Sequence, residues 1–247
     1  MPRLALLSDV HGNAPALAAV RKAIKAARPD TILIAGDHVL HGPDPVEAVD
    51  GIRELEEAGA IVVQGNTDVA VADFDYSAAF PWMTEGVPES IQAASQWANE
   101  QLGEERLDWL RRLPAERRVR LDDTLVLVCH ASPGSQTSGF DRDLDPSVTI
   151  EHAARTDAQV ICCGHTHQPE VRDLGWKTIV NDGSAGYVFD GDPTASWALL
   201  DIKDGEVTAE IRRAEFDLMA VSEALSRRGL PGDIYRAATV RTGKLVR

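Results

Sequence analysis

The chain has 247 residues, 26% of them charged, and a formal net charge of −14 at pH 7. Such an acidic chain argues against tight binding to long nucleic acids, which needs lysine and arginine clustered against the phosphates. No apolar stretch of about 18 residues and no basic leader before an apolar segment is visible, so the sequence predicts neither a membrane span nor a secretion signal.

The first part of the chain alternates predicted strands and helices. Short apolar runs bounded by Gly and Asp predict buried parallel strands, and Asn13 with Pro15 marks the start of the first helix. In chain order the predicted segments are a strand at 3–8, a helix at 13–27, a strand at 31–35, a helix at 43–58 and a strand at 60–64. In open α/β sheets, functional residues gather at the carboxyl ends of such strands.

The alternation breaks after the third strand. We predict a helical insertion at 69–117, with helices at 90–102 and 104–113 and a loop at 74–88 that is a candidate lid over a substrate site. Later strands are predicted at 118–121, 125–129, 159–163, 178–181, 196–202 and 206–212. Because most of them lack intervening helices, they indicate a second, mostly antiparallel sheet. His152 is expected on the surface of a polar helical segment.

The end of the chain, residues 214–247, is predicted to hold a helix at 217–228 and a tail without assigned structure. A chain of this length can bury a large core, so we expect residues 1–247 to form one domain. The three cysteines, Cys129, Cys162 and Cys163, lie in predicted core strands, where cysteine behaves as a small apolar residue. Their odd count argues against a disulfide framework and predicts a reducing, cytoplasmic location.

Metal-binding side chains follow five of the predicted strands. The motifs are Asp9-x-His11, Gly36-Asp37, Gly65-Asn66-x-Asp68, Cys129-His130 and Gly164-His165-x-His167. Because carboxyl ends of parallel strands share one edge of a sheet, we expect these side chains to meet there. Imidazole nitrogen and carboxylate oxygen suit Mn, Fe, Zn, Ni or Co, and the two oxygens of Asp37 could bridge ions roughly 3.5–4 Å apart. The motifs therefore predict a two-metal hydrolase.

In this order, the motifs resemble the calcineurin-like metallophosphoesterase superfamily over roughly residues 3–202. The segments 42–45 (Gly-Pro-Asp-Pro) and 181–184 (Asn-Asp-Gly-Ser) add similarity to its small bacterial phosphodiesterase branch. The resemblance implies an α/β fold, a four-layer α/β/β/α sandwich of two mixed sheets. It also implies a hydrolase of phosphodiesters, or alternatively of phosphomonoesters, whose nucleophile is a metal-bridging hydroxide.

The resemblance further implies two divalent transition-metal ions, with manganese first and iron, zinc, nickel or cobalt as alternatives. One ion would be held by Asp9, His11, Asp37 and His167, and the other by Asp37, Asn66, His130 and His165. Because each position carries the expected residue type, the sequence favours an enzyme over a non-catalytic scaffold such as the phosphoesterase-like subunit of retromer. A nucleotide-polyphosphate hydrolase stays an alternative, since the 42–45 loop does not discriminate between these substrates.

One position departs from the family pattern. Many members carry a histidine after the Asn of the Gly-Asn-x-Asp motif, which protonates the leaving oxygen and is oriented by the next acidic residue. In this chain the position is Thr67, followed by Asp68. A threonine hydroxyl cannot act as a general acid near neutral pH, and such an acid contributes about 10²–10⁴-fold. His41 and His38 are the candidates to replace it.

The predicted partner is a small phosphate ester. His41 falls where related phosphatases carry a phosphate-binding arginine, which predicts a substrate contact against the alternative of a solvated loop residue. Asn13 is predicted to cap the first helix, although its position also permits a phosphate contact, and Asn66 is counted among the substrate-binding residues as well. The sequence specifies neither the natural substrate nor the oligomeric state, for which a homodimer is one alternative.

Overall fold

A computed structural model describes residues 2–203 and 205–247 of the chain. Its strands are β1 (Arg3–Leu7), β2 (Thr31–Ile34), β3 (Ile61–Val62), β4 (Glu116–Leu121), β5 (Thr124–Cys129), β6 (Val160–Cys163), β7 (Glu170–Asp173), β8 (Thr178–Asn181), β9 (Ala195–Lys203) and β10 (Glu206–Ala214). Its helices are α1 (Ala14–Ala27), α2 (Pro45–Glu57), α3 (Asn66–Ala72), α4 (Tyr76–Ala79), α5 (Glu89–Arg112), α6 (Pro146–Ala154), α7 (Leu218–Arg228) and α8 (Asp233–Thr242).

The strands form two five-stranded sheets, with the orders β10-β9-β1-β2-β3 and β4-β5-β6-β8-β7. In the first sheet β1 runs parallel to β2 and antiparallel to β9. In the second, β6 runs parallel to both β5 and β8. The two sheets pack face to face through a buried apolar cluster that includes Leu4, Leu33, Val126, Val160 and Ala198. The predicted four-layer sandwich of two mixed sheets is therefore confirmed.

The predicted distribution of the late strands is wrong. β9 and β10 join the first sheet beside β1, and the second sheet is not mostly antiparallel, because β5, β6 and β8 run parallel. β9 pairs with β1, for example at Leu200 and Leu4. Because β9 is apolar on both faces, its sequence pattern is compatible with either sheet and does not predict which one it joins. β7, with the sequence Glu-Val-Arg-Asp, is an edge strand that the sequence analysis did not predict.

Helices cover the outer faces of both sheets. α1 begins at Asn13, whose side-chain Oδ1 accepts from Ala16 N at 3.1 Å, so the predicted helix cap is confirmed. α5 is interrupted at Gly103 (φ 67°, ψ 165°), which confirms the two predicted helices on either side of it. His152, expected at the surface, is 5% exposed and lies 6.0 Å from the ring of Phe140. Within the described residues no helix is long and apolar enough to cross a membrane.

The C-terminal helices α7 and α8 contact the loop that follows β2 in the first sheet. Arg228 donates to Gly42 O at 2.8 Å and to His41 O at 3.2 Å. Asp233 accepts from Arg228 at 2.6 Å and from Arg236 at 2.9 Å, and its side chain is 2% exposed. The tail that had no predicted structure therefore contains α8, and its buried ion network fixes the loop that carries His41.

Replacing Asp233 by asparagine is expected to lower the free energy of unfolding by about 3 kcal/mol, because two buried guanidinium groups lose their counter-charge. Burial by itself raises the pKa of Asp233, but hydrogen bonds from Arg228 and its charge lower the pKa overall. This stabilisation is thus present above the ordinary aspartate pKa of about 4 and is lost as the pH falls through the lowered value.

Urea unfolding of wild type and Asp233→Asn, measured at neutral pH and in acid, tests this expectation. The two proteins should differ clearly at neutral pH and converge in acid. Glu223→Gln is the control, since Glu223 faces Arg227 across 3.9 Å in an exposed pair on α7. A variant of Asp233 as stable as this control at neutral pH would contradict the argument.

Candidate metal centre

Polar side chains from the ends of both sheets converge in one place. Asp9, His11, Asp37 and Asn66 come from the first sheet, and His130, His165 and His167 come from the second. The sequence predicts that they meet along the edge of one sheet, and this detail is wrong. Because β1 and β2 end beside β5 and β6, the residues meet between the ends of two packed sheets.

The backbone at this place is unusual. Left-handed conformations occur at Asp9 (φ 53°), His11 (φ 52°), Asp37 (φ 54°), His165 (φ 69°) and His167 (φ 55°). Such conformations are uncommon for residues other than glycine, cost on the order of 1 kcal/mol each and cluster at functional sites. They end the alternation of the strands, so that residues two apart in the sequence can face the same point. The loops support one another, since His11 N donates to Asp37 O at 2.9 Å.

Asp9, His11, Asp37 and His167 form a first donor group, in which one potential ligand atom of each lies within 4.8 Å of the others. The two Nε2 atoms of His11 and His167 are 3.1 Å apart, and Nε2 of His167 is 3.2 Å from Asp9 Oδ1. The Nδ1 atoms point away, toward Val39 O for His11 and toward Tyr187 O for His167. All four side chains are buried.

These hydrogen bonds decide which ring nitrogen carries the proton. A carbonyl oxygen can only accept, so each Nδ1 carries a proton, and in the neutral imidazole each Nε2 then turns a lone pair toward the other. Asp9 Oδ1 has no hydrogen-bond donor among the described residues. Buried acceptors at such distances repel one another unless a cation lies between them. The first donor group therefore fits a bound divalent ion.

Asn66, His130 and His165 form a second donor group together with Asp37. His130 Nε2 is 2.9 Å from Asn66 Oδ1 and 3.2 Å from His165 Nδ1. His130 Nδ1 donates to Ala35 O at 2.7 Å, and the Asn66 amide nitrogen donates to Ala79 O at 3.1 Å. When His130 Nε2 and His165 Nδ1 carry no proton, the atoms in the middle of this group are all acceptors, and the group then also fits a cation.

Asp37 lies between the two groups. Its Oδ2 is 3.6 Å from His11 Nε2, and its Oδ1 is 3.4 Å from His130 Nε2. Burial by itself would raise the pKa of Asp37, but the charges of His130 and His11 hold it well below its usual range. Burial by itself would lower the pKa of His130, but the charge of Asp37 raises it to about 10. Burial and the charge of His130 lower the pKa of His165 to about 4.

Two glycines leave room for the carboxylates. A Cβ atom on Gly164 would lie 2.2 Å from Asp9 Oδ2, and a Cβ atom on Gly65 would lie 2.1 Å from Asp37 Oδ1. Both distances are far below any van der Waals contact, and both neighbouring carboxylates are buried. The motifs Gly-His-x-His and Gly-Asn-x-Asp therefore need glycine at their first position, because any larger residue would overlap a carboxylate of the donor groups.

Replacing Gly164 by alanine is expected to weaken Mn²⁺ binding about 10–100-fold, because the new methyl group displaces the Asp9 carboxylate without changing any charge. Calorimetric titration of chelator-treated protein with Mn²⁺ measures the effect. Gly51→Ala is the matched control, since its Cβ would meet only the flexible ends of Arg21 and Leu17. Equal Mn²⁺ affinities for the two variants would contradict the steric argument.

Two of the other predicted residues lie outside the donor groups. The Asp68 carboxylate accepts from the backbone N–H groups of Asp37 (3.1 Å), His38 (2.8 Å) and Gly65 (2.9 Å), so it fixes the turn that presents Asp37. His38 is fully buried, with Nε2 3.0 Å from Val63 O and its ring 5.7 Å from Trp109. Its position does not support a role as proton donor, because it points into the core.

The two other predicted substrate-binding residues, Asn13 and His41, have different surroundings. Asn13 uses Oδ1 to cap α1, donates one Nδ2 hydrogen to Gly186 O at 2.9 Å and is 1% exposed, so its contact with a phosphate stays a prediction. His41 lies at the rim, with its ring 4.7 Å from that of His11 and stacked on Tyr187 at 4.6 Å. Its Nδ1 has no partner among the described residues, and its contact with a phosphate stays a prediction.

The loop after β8 supplies contacts that the sequence analysis missed. Ser184 Oγ donates to Asp9 O at 2.8 Å, and Asp182 Oδ2 accepts from Ser8 N at 3.0 Å. Phe189 stacks on His167 with ring centroids 4.2 Å apart. The sequence analysis identified segment 181–184 only by its similarity to the phosphodiesterase branch. Its residue types do not indicate that it supports the turn at Asp9.

Comparisons with known proteins agree with this geometry. A model of the calcineurin-like phosphoesterase superfamily domain matches residues 3–205. The uncharacterized protein MJ0912 of Methanocaldococcus jannaschii is 28% identical over 246 residues, covering 92% of this chain and 93% of that protein. A crystal structure of a metallophosphoesterase from Sphaerobacter thermophilus is 29% identical with a TM-score of 0.73, covering 98% and 99% of the two chains. Hypothetical protein PH1004 of Pyrococcus horikoshii OT3, 22% identical with a TM-score of 0.84 and coverage of 98% and 99%, shares the fold.

Proposed function

The chain belongs to the calcineurin-like phosphoesterase superfamily, and we propose that it is a dinuclear-metal-dependent hydrolase of phosphodiesters. The observation that carries the proposal is the position of Asp37, which turns one carboxylate oxygen toward each donor group. One ion would be held by Asp9, His11, Asp37 and His167, and the other by Asp37, Asn66, His130 and His165. Divalent ions held there would supply Lewis-acid chemistry, activating water and stabilising negative charge on a phosphoryl group.

The side chains near the donor groups leave water as the nucleophile. Ser8 Oγ donates to the Asp9 carboxylate and is fully buried. The thiol of Cys163 is also buried, and burial raises its pKa well above the usual value. Neither residue can reach a phosphoryl group, which supports hydrolysis without a covalent phospho-enzyme.

The buried, free thiols of Cys129, Cys162 and Cys163 agree with the proposed reducing, cytoplasmic location.

The rim residue His41 supports a diester as substrate. A guanidinium group presents a fixed fork of donors with a permanent charge, which suits the dianion of a monoester. An imidazole at the same place offers fewer donors and at most one charge. A phosphodiester carries a single negative charge and therefore needs less compensation at the rim. Manganese is the first candidate metal, and the mixed nitrogen and oxygen donors also suit iron, zinc, nickel or cobalt.

Metal content and hydrolysis, measured on the same protein, test the proposal. Chelator-treated protein reloaded with Mn²⁺ is expected to bind about two ions per chain and to hydrolyse bis(4-nitrophenyl) phosphate faster than 4-nitrophenyl phosphate. Chelation should remove the activity, and Mn²⁺ should restore it. Binding of only about one ion per chain, or of fewer, would overturn the dinuclear proposal. A faster reaction with the monoester would overturn the assignment to phosphodiesters.

A further inference from the structure

The donor groups open to solvent on the side of His165. Of the candidate ligands, six are at most 5% exposed, namely Asp9, His11, Asp37, Asn66, His130 and His167, whereas His165 is partly exposed. The indole of Trp82 lies beside it, with the ring centroids 6.2 Å apart and the planes at 69°. Trp82 itself is 53% exposed. A substrate that approaches from this side therefore passes the indole.

The position of Trp82 is supported by the residues around it. Phe80, 6% exposed, contacts the indole edge to face with the centroids 5.8 Å apart. Met83 N donates to Phe80 O at 2.9 Å and closes the turn that contains Trp82. Just before this turn, Ala79 O accepts from the Asn66 amide at 3.1 Å. One side-chain amide thus ties the tryptophan turn to the second donor group.

Trp82 differs from the other tryptophans of the chain. Arg228 lies over Trp97 at 4.5 Å, Lys177 over Trp176 at 5.0 Å and Arg212 over Trp197 at 5.6 Å, and Trp109 Nε1 donates to Glu56 at 2.6 Å. Within residues 2–203 and 205–247, Trp82 has neither a cation over its ring nor a hydrogen-bond acceptor for its Nε1. An indole face beside the metal centre is therefore free for another ring.

We propose that Trp82 determines substrate specificity by stacking on a planar aromatic group of the phosphate ester, either an aryl group or a nucleobase. The inference rests on the proposed function, because it needs a phosphoryl group held at the donor groups. Aromatic side chains stack on planar rings with offset or edge geometry, and loss of such a stack weakens binding by roughly tenfold. Esters with an aromatic group should therefore bind more tightly than their aliphatic counterparts.

Two matched pairs of ligands test this inference by calorimetric binding to the Mn²⁺-loaded protein. Phenylphosphonate is compared with methylphosphonate, and adenosine 5′-monophosphate is compared with ribose 5-phosphate. Each pair shares its anion and differs in the planar ring. Wild type is expected to prefer the ring-bearing member of at least one pair by roughly tenfold. The pair with the larger preference distinguishes an aryl group from a nucleobase.

Substitutions at Trp82 separate stacking from apolar contact. Trp82→Ala and Trp82→Leu are expected to abolish the preference, while Trp82→Phe keeps most of it and methylphosphonate binds all four proteins equally. Trp176→Ala is the control, because Trp176 is 49% exposed and precedes β8, at the end of that strand away from the metal centre. A preference unchanged in Trp82→Ala, or lost equally in Trp176→Ala, would overturn the inference. Because these measurements follow binding, absent hydrolysis would count against the proposed function alone.

Discussion

Replacing Asp37 by asparagine is expected to lower kcat/KM for a phosphodiester by about 10⁴-fold, the largest effect of any single substitution in this chain. The carboxylate is 2% exposed and faces both donor groups. An amide keeps one oxygen, which can still accept from Thr67 N as Asp37 Oδ1 does at 2.9 Å. The fold should therefore persist, while the charge shared by the two groups is lost.

Metal analysis, thermal unfolding and hydrolysis of bis(4-nitrophenyl) phosphate together test this expectation. The variant should unfold cooperatively like the wild type after chelation but bind less Mn²⁺ at any given concentration. Asp44→Asn is the control, since Asp44 lies seven residues further along the chain and makes no side-chain hydrogen bond to the start of α2. An Asp37→Asn protein with more than about one tenth of wild-type activity would show that the carboxylate is not shared.

The candidate ligands could be identified from the sequence because strand ends are predictable. An apolar run followed by Asp-x-His predicts where the side chains emerge, and sheet geometry then brings such ends together. The structure does bring all these side chains together, although their binding of metal ions stays a prediction. What the sequence could not decide was which sheet a strand joins, since β9 is apolar on both faces and pairs with β1 rather than with the second sheet.

The neighbours of the donor groups were harder to predict. His38 and His41 lie three positions apart in the chain, yet His38 points into the core and His41 lies at the rim. Leu40, with φ 122°, turns the backbone between them, and residue type does not indicate such a turn. Arg228 reaches the same loop from 186 residues away, and local periodicity carries no information about such contacts. Predictions from spacing therefore stop at the residues that directly follow a strand.

Thr67 provides the second large expected effect, because it stands where the resemblance implies a proton-donating histidine in many members of the family, although the small phosphodiesterase branch often lacks that residue. Its hydroxyl donates to Val39 O at 2.9 Å and is buried, so it cannot protonate a leaving oxygen. His38 is directed away from the centre. Burial holds the pKa of His41, the other predicted acid, well below its usual range, so this imidazole is mostly neutral at neutral pH. Catalysis would then depend mainly on electrostatic stabilisation and positioning. We expect a steep dependence of the hydrolysis rate on the pKa of the leaving group.

Introducing the family residue, Thr67→His, is expected to flatten that dependence, with turnover of alkoxide leaving groups rising by about 10²–10⁴-fold if the imidazole is fully effective as an acid. The substitution removes a donor from Val39 O, but His11 Nδ1, 3.2 Å away, still donates to that oxygen. The Asp68 carboxylate already accepts hydrogen bonds from three backbone N–H groups, so only part of its acceptor capacity remains to orient the new ring. The gain is therefore expected at the lower end of the range.

The measurement is the slope of log kcat against leaving-group pKa for a series of aryl and alkyl phosphodiesters. Wild type, Thr67→His, His41→Ala and Thr67→Val are compared, the last as a control that removes the hydroxyl without adding an acid. A steep slope in wild type and Thr67→Val that flattens in Thr67→His supports the argument. If the wild-type slope steepens in His41→Ala, His41 already protonates part of the leaving group. A wild-type slope near zero that does not change in His41→Ala would mean that a different side chain supplies the proton, and the assignment of the missing acid to position 67 would be wrong.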